Sequence, residues 1–295
     1  MNSQLTIRIR ERMKSFSKGQ RRIAAYIEEH FDTVAFMTAS RLGAAVGVSE
    51  STVVRFATEL GYSGYAELQR AMQDMIRNRL NSVQRLEFTI SSVPYKELLG
   101  AAMNQDIDML RRTLESISKE DFYAAVEAVM QARRVYIVGS RSSLALATFM
   151  AHYFHLIFED VHLLDATNEA QIFEQLVRLD KADAVIGISF PRYSKKVIKA
   201  MRFASDTGAT CVALTDCETS PVAMAASHKL LVRSDMVSFV DSLVAPLSVI
   251  NAFIVAIAIR KEKDVRSNLQ RLERIWDEYG IYEKVDEKEE ENHAG

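Results

Sequence analysis

The chain has 295 residues, of which 48% are hydrophobic and 26% charged, a balance that can bury a core and excludes a largely disordered protein. Eleven Gly and four Pro exclude collagen-like or Pro-rich sequence, and two cysteines, Cys211 and Cys217, make neither a disulfide framework nor a four-cysteine zinc site. The net charge of −2 is unevenly spread: residues 1–85 hold thirteen basic and eight acidic side chains, the remainder twenty-four and thirty-one, which suggests a basic module with a polyanionic partner on an acidic body.

The N-terminus is too charged for a secretory signal, so a reducing, cytoplasmic setting is expected. Ser17 and Gln20 have capping-box spacing, and Ile23, Ile27 and Phe31, with Ala24, form a helical stripe. Further helices are expected from Thr38, from Ser49 after a break at Gly47, and from Ser63 to about Leu80. Residues 1–80 therefore read as an all-α domain of four short helices.

Residues 39–61, ASRLGAAVGVSESTVVRFATELG, meet the constraints of a helix-turn-helix. Leu42 and Val46 face inward from the first helix. Gly43 stands where the second helix crosses and a side chain larger than Ala would clash. Gly47 supplies the positive φ of the turn, Val48 plugs it, and Val53 and Phe56 anchor the second helix. The exposed start of that second helix would present Ser49, Glu50, Ser51, Thr52 and Arg55 to base edges or phosphates of double-stranded DNA. Ser49 is equally a helix cap, and Glu50 with Arg55 equally a solvated pair. Arg22 and Arg41, with Lys18 and Arg21, are candidate phosphate contacts, although each alone also reads as a solvated surface charge.

The pattern weakens over residues 81–100, where Ser91, Ser92, Val93 and Pro94 form a breaker cluster, and the interdomain linker is placed there. The second domain is assigned to residues 101–282. Helical spacing returns over 101–117, and a helix opening at Ser118 carries Phe122, Val126, Val129 and Met130. Short apolar runs at 135–138, 161–164, 184–189, 210–215 and 229–232 then alternate with helix-length segments, such as 194–205 and 221–226, predicting an α/β domain with a parallel sheet flanked by helices. Residues 243–259 carry no formal charge but include Pro246, Ser248 and Asn251; they read as a core or interface helix rather than a membrane span. The tail, 283–295, has six acids in thirteen residues and is expected to be disordered.

Ligands of parallel sheets bind beyond the carboxyl ends of the strands. Two loops stand there, each opening a helix: GSRSS with Ser140, Arg141, Ser142 and Ser143, and SFPRYS with Ser189, Arg192, Tyr193 and Ser194. Helix N-termini, hydroxyls and two guanidinium groups together would cradle a phosphate or carboxylate. Serine capping is the competing explanation for each hydroxyl.

The chain resembles the RpiR (MurR/RpiR) family of bacterial transcriptional regulators, over about residues 5–260. The words that carry the resemblance are EEHFDTVAFMTASRLGAAVGVSESTVVRFATELGYSGYAELQRAM, the GSRSS loop, SFPRYS, and GATCVALTD followed by SP. The resemblance implies an N-terminal helix-turn-helix domain, a C-terminal SIS (sugar isomerase) domain, operator binding as a homodimer or homotetramer, and control of a catabolic operon by a sugar phosphate or related anionic metabolite. It assigns phosphate-binding hydroxyls to Ser143, Ser189 and Ser194, and a sugar-bordering stretch to Ser238, Phe239, Val240, Asp241 and Ser242. Two departures matter. Arg141 stands where the family commonly has Gly, and Phe190, Pro191 and Arg192 replace the middle of a Ser-x-Ser-Gly-x-Thr/Ser pattern. Pro191 has neither hydroxyl nor backbone donor, and Arg192 could restore the lost anion affinity.

The rival class on this fold is a sugar-phosphate isomerase, which needs a general base near the sugar carbons. His152 and His155 fall roughly 14–18 Å down a helix from the loop, so no catalytic residue is assigned. No cofactor or metal site is expected either. A ligand-free interaction protein, the third class, would leave both serine/arginine loops unexplained.

Overall fold

A computed structural model describes residues 4–77, 82–164, 168–234 and 240–283. Two compact units emerge, one of Met1–Ala101 with Asp235–Val240, the other of Ala102–Ser234 with Asp241–Gly295.

The first unit begins with six helices: α1 (Gln4–Arg12), α2 (Lys18–Glu29), α3 (Phe31–Val34), α4 (Ala39–Val46), α5 (Glu50–Glu59) and α6 (Tyr65–Arg77). The capping box of Ser17 and Gln20 is formed, and Thr38 caps α4 by accepting the Arg41 N–H. Two helices go beyond the four expected. In α1, Leu5 and Ile9 lie one turn apart and both are buried. Phe31 does not continue α2 but opens α3. Ile23, Ile27, Leu42, Val53, Phe56, Leu68 and Met72 share one core, each large side chain contributing about 1.5–3 kcal/mol by leaving water. The α4–α5 corner is tighter than expected. A Cβ on Gly43 would lie 2.8 Å from the Val48 carbonyl oxygen, so even Ala is too large there. Gly47 takes the left-handed conformation at the end of α4.

The segment expected as a linker contains helix α7 (Ser82–Ser92), then a 3-10 turn at Tyr95–Glu97 and the start of α8 (Leu98–Ser116). The breaker cluster ends α7 rather than marking open chain.

In the second unit, α9 (Lys119–Met130) leads into β1 (Val135–Gly139), α10 (Ser142–Ile157), β2 (Val161–Leu163), α11 (Glu169–Gln175), β3 (Ala184–Ile188), α12 (Lys195–Asp206), β4 (Thr210–Thr215), β5 (His228–Leu231), α13 (Val244–Arg260) and α14 (Glu262–Tyr279). The segment expected as a helix over 221–226 forms only a 3-10 turn at Ala223–Ala225. All strand pairs are parallel, in the order β2-β1-β3-β4-β5. The strands read as unbroken apolar runs because both faces are covered. Val135, Ile137, Ile186, Val212 and Leu214 pack with α9, α10 and α13, whereas Tyr136, Val138, Val185, Cys211 and Ala213 face α11 and α12. The charge-free run forms α13, with Pro246, Ile250, Phe253 and Ile257 among its buried residues. Pro246 sits in the first turn, where a helix needs no N–H from it. Among the described residues no single helix is long and apolar enough to cross a membrane.

At the amino ends of the strands the Arg133 guanidinium donates to both oxygens of the fully buried Asp183 carboxylate, at 3.0 and 3.1 Å. That fork joins the starts of β1 and β3 and leaves their carboxyl ends open to other use. Of the stretch expected to border a sugar, Ser238 and Phe239 lie outside the described residues, as does the tail after Glu283.

Candidate functional site

In the first unit, Ser49, Glu50, Ser51, Arg41, Arg22 and Arg55 are all exposed, and Thr52 is half-buried. Ser49 stands at the cap position of α5, yet its side chain makes no cap hydrogen bond. Its hydroxyl instead joins those of Ser51 and Thr52, at 2.9 and 2.8 Å. Arg55 turns back to the Ser51 carbonyl and hydroxyl, at 3.3 and 3.4 Å, a contact along its own helix where a solvated pair with Glu50 was the alternative to DNA contact. A hydroxyl triad and a guanidinium thus sit together on the open end of α5. Arg22 donates to the Gly47 carbonyl at 3.4 Å, and Arg21 to that of Phe16 at 2.9 Å; both steady the fold while keeping charge at the surface. Exposed Val54, at 39%, belongs to the same face and was not singled out by sequence, because an apolar residue in an amphipathic helix reads as core.

In the second unit the geometry follows from strand order. β1 has β2 on one side and β3 on the other, which makes the gap between the carboxyl ends of β1 and β3 the topological switch point. Gly139 and Ile188, the last residues of those strands, are register partners. GSRSS and SFPRYS therefore leave neighbouring strand ends side by side. A Cβ on Gly139 would overlap the carbonyl oxygen of Ser143, so its absence lets the first turn of α10 fold directly over the strand.

Serine capping does not account for these hydroxyls. The cap position of α10 is Arg141, with no side-chain cap bond, and that of α12 is Ser194, whose side chain also makes none. Ser143 and Ser189 are buried, and the Ser189 hydroxyl accepts the Ser194 N–H at 3.1 Å. Arg141 (φ 57°) and Arg192 (φ 67°) are the two non-glycine residues with positive φ among those described, each at a position read above as a family glycine.

Carboxylates complete the surroundings. Ser142 donates to Asp241 at 2.5 Å, and Ser242 to Asp106 at 2.6 Å. Tyr193 donates to Asp216 at 2.8 Å; burial, then the Asp216 charge, push its phenol far above the ordinary value, so it keeps its proton and braces SFPRYS against the end of β4. Thr215 and Ser220 bond at 3.0 Å beneath this brace. Asp106 and Asp216 were not found from sequence: each belongs to a separate segment, and only the fold brings it here. His152 and His155 lie on α10, about 15 and 20 Å along the helix from Ser142. His155 lines a groove with α14.

The two units match two family models, "Helix-turn-helix domain, rpiR family" over residues 3–79 and "SIS domain" over residues 129–256. An HTH-type transcriptional regulator of Caldanaerobacter subterraneus is 26% identical over 278 residues, spanning 90% of this chain and 95% of the relative. One from Haemophilus influenzae is 26% identical over 74% of this chain and 76% of the relative. Among solved structures, the sugar isomerase domain of an RpiR transcription factor from Sphaerobacter thermophilus is 30% identical, with a TM-score of 0.57, covering 60% of this chain and 99% of that one. The Vibrio vulnificus NanR protein, solved in complex with ManNAc-6P, is 20% identical, with a TM-score of 0.58, and covers 95% of this chain and 100% of that one. A helical head built around a helix-turn-helix, followed by an α/β body whose serine loops meet at a switch point, places this chain in the RpiR family of helix-turn-helix regulators carrying a SIS domain.

Proposed function

We propose that the protein binds an operator in double-stranded DNA through α5 and senses a small anionic metabolite, a sugar phosphate, at the β1–β3 crevice, as a homodimer or homotetramer. The observation that carries the sensor reading is the pair of loops on register-paired strand ends, whose serines are not used as helix caps. The phosphate would take the α10 N-terminus with Ser143, Ser189 and Ser194, and Arg141 and Arg192 would add charge-assisted donors in place of the hydroxyl that Pro191 lacks. Ser140 and Ser142 complete the first loop. Asp241 and Asp106 offer acceptors for sugar hydroxyls, with Ser242 holding Asp106 in place. NanR, of the same fold and solved with a phosphosugar, supports this class of ligand. In the head, Ser49, Ser51, Thr52 and Arg55 would reach base edges or phosphate, Glu50 would accept from cytosine, and Arg22 and Arg41 would flank the backbone.

The body is read as a sensor and not an isomerase, because both histidines of α10 stand well away from the loops. Isothermal titration of the full chain with a panel of sugar phosphates, the same sugars unphosphorylated, and small dicarboxylates tests the first half. Footprinting on the promoter of neighbouring genes tests the second, with and without the ligand that binds. No heat with any phosphorylated sugar refutes the sensor. A footprint without sequence preference at physiological salt refutes operator binding. Turnover of a bound phosphosugar refutes the non-enzymatic reading.

A further inference from the structure

Helix α14 carries an apolar stripe that its own unit covers only in part: Val265 packs against the core of the body, Leu272 lines a groove with α10, and Trp276 meets the Tyr282 ring. Val265, Leu269, Leu272, Trp276 and Tyr279 recur at intervals of four, three, four and three, the spacing of a coiled-coil seam. Yet no residue of α14 is buried, and Leu269 and Tyr279 are 37% and 72% exposed. Helix α13 meets α14 at 101°. Its last turns add the exposed Val255 and Ile259 to the open groove that Val265 and Leu269 line. Contiguous apolar surface of this kind, rimmed by charge, marks an interaction site.

The charges on the rim say what fits. In a parallel pairing of two α14 helices, Lys261 of one copy would flank Arg266 of the other, like against like. An antiparallel pairing about a twofold axis does better. With Leu269 facing Leu272 of the second copy, and Val265 facing Trp276, the flanking position of Arg266 falls opposite Glu273, and symmetry makes the pair twice. Both residues line the groove. Arg266 rests on Glu262 at 2.6 Å in the single chain, both side chains about two-thirds exposed. Such a contact is weak and readily exchanged. Self-complementarity through a twofold is the property of an isologous interface.

We infer that α14 is the surface on which two copies of this chain associate, as an antiparallel helix pair walled by the end of α13. The inference rests on the reading of the protein as an oligomer and adds where the contact lies. Sedimentation equilibrium of the full chain tests it, with circular dichroism as the check of folding. Arg266→Glu and Glu273→Arg should each raise the dimer dissociation constant roughly tenfold, since each turns two attractive pairs into repulsive ones. The double exchange should return it to within about threefold of the parent. Leu269→Glu, at a position already part-exposed, should leave a folded monomer. A parent chain that is monomeric throughout overturns the oligomer reading and this surface together. A dimer indifferent to all four variants overturns this surface alone. Loss on single reversal without recovery in the double overturns the antiparallel register.

Discussion

Asp241 is the side chain whose removal speaks most directly to how the crevice would accept an anion. Its carboxylate holds the Ser142 hydroxyl at 2.5 Å, at the mouth of the helix N-terminus where a phosphate would bind. An incoming anion must take over that hydroxyl or approach beside the carboxylate. A hydrogen bond to a charged acceptor is worth about 1.5–3 kcal/mol against about 1 for a neutral one, so Asp241→Asn lowers the cost of displacement by about 1 kcal/mol. Removing a unit negative charge about 6 Å from a bound anion gains about another 1 kcal/mol at an effective dielectric of about 40. Both groups are part-exposed, which discounts the sum. The expected result is a fivefold to thirtyfold tighter dissociation constant, larger for a doubly charged phosphate than for a singly charged carboxylate, and smaller at high salt. Calorimetric titration of parent and variant with the tightest phosphosugar of the panel, at two ionic strengths, measures it. Unchanged affinity would show that the anion does not sit on Ser142. Weaker affinity would show that Asp241 holds sugar hydroxyls strongly enough to outweigh its charge.

Gly43→Ala should destabilise the head by about 1–2 kcal/mol, the 2.8 Å approach to the Val48 carbonyl outweighing the roughly 1 kcal/mol by which Ala favours a helix. Trp276 is the single tryptophan and lies in the body, so the helical signal should melt early while the fluorescence transition stays put; an unshifted helical melt would contradict the packing argument. Arg55→Ala should weaken operator binding by about 1–3 kcal/mol with phosphosugar affinity unchanged in calorimetry, and loss of both would break the separation of roles between head and body. Arg141→Gly should leave thermal stability level or raise it by up to about 1 kcal/mol, as relief at positive φ offsets the greater freedom of glycine in the unfolded chain, and should weaken anion binding at least tenfold; retained affinity would remove Arg141 from the site.

Sequence legibility tracked the range of the interaction. Capping at Ser17, the stripe of Ile23 and Ile27, the left-handed Gly47 and the apolar strands are local matters, and each has its expected form. The head's first helix was hidden because Leu5 and Ile9 stand among four basic side chains, Arg8, Arg10, Arg12 and Lys14, so charge masked periodicity. Ser49 misled differently: a serine before a helix normally caps it, but here Ser51 and Thr52 compete for the same hydroxyl. In the body, the loops were legible as strand ends, whereas their adjacency depends on β3 pairing with β1 across an intervening strand and two helices. Asp106 reaches Ser242 over 136 positions in sequence, and no local pattern encodes that meeting.

The two arginines at positive φ tie these scales together. A non-glycine residue held there costs about 1–3 kcal/mol, and a domain's net stability is about 5–15 kcal/mol, so two such residues consume an appreciable share of it. Neither side chain joins a core: both are exposed, and glycine would satisfy the backbone at both positions without strain. Capping does not explain Arg141, which occupies a cap position without capping. Both bring positive charge that glycine lacks, on loops that begin where β1 and β3 end side by side. At the opposite ends of the same strands, Arg133 and the buried Asp183 neutralise each other, and that end serves stability. The division of roles along one pair of strands, an ion pair at one end and strained arginines at the other, fits the anion sensor proposed for this sheet.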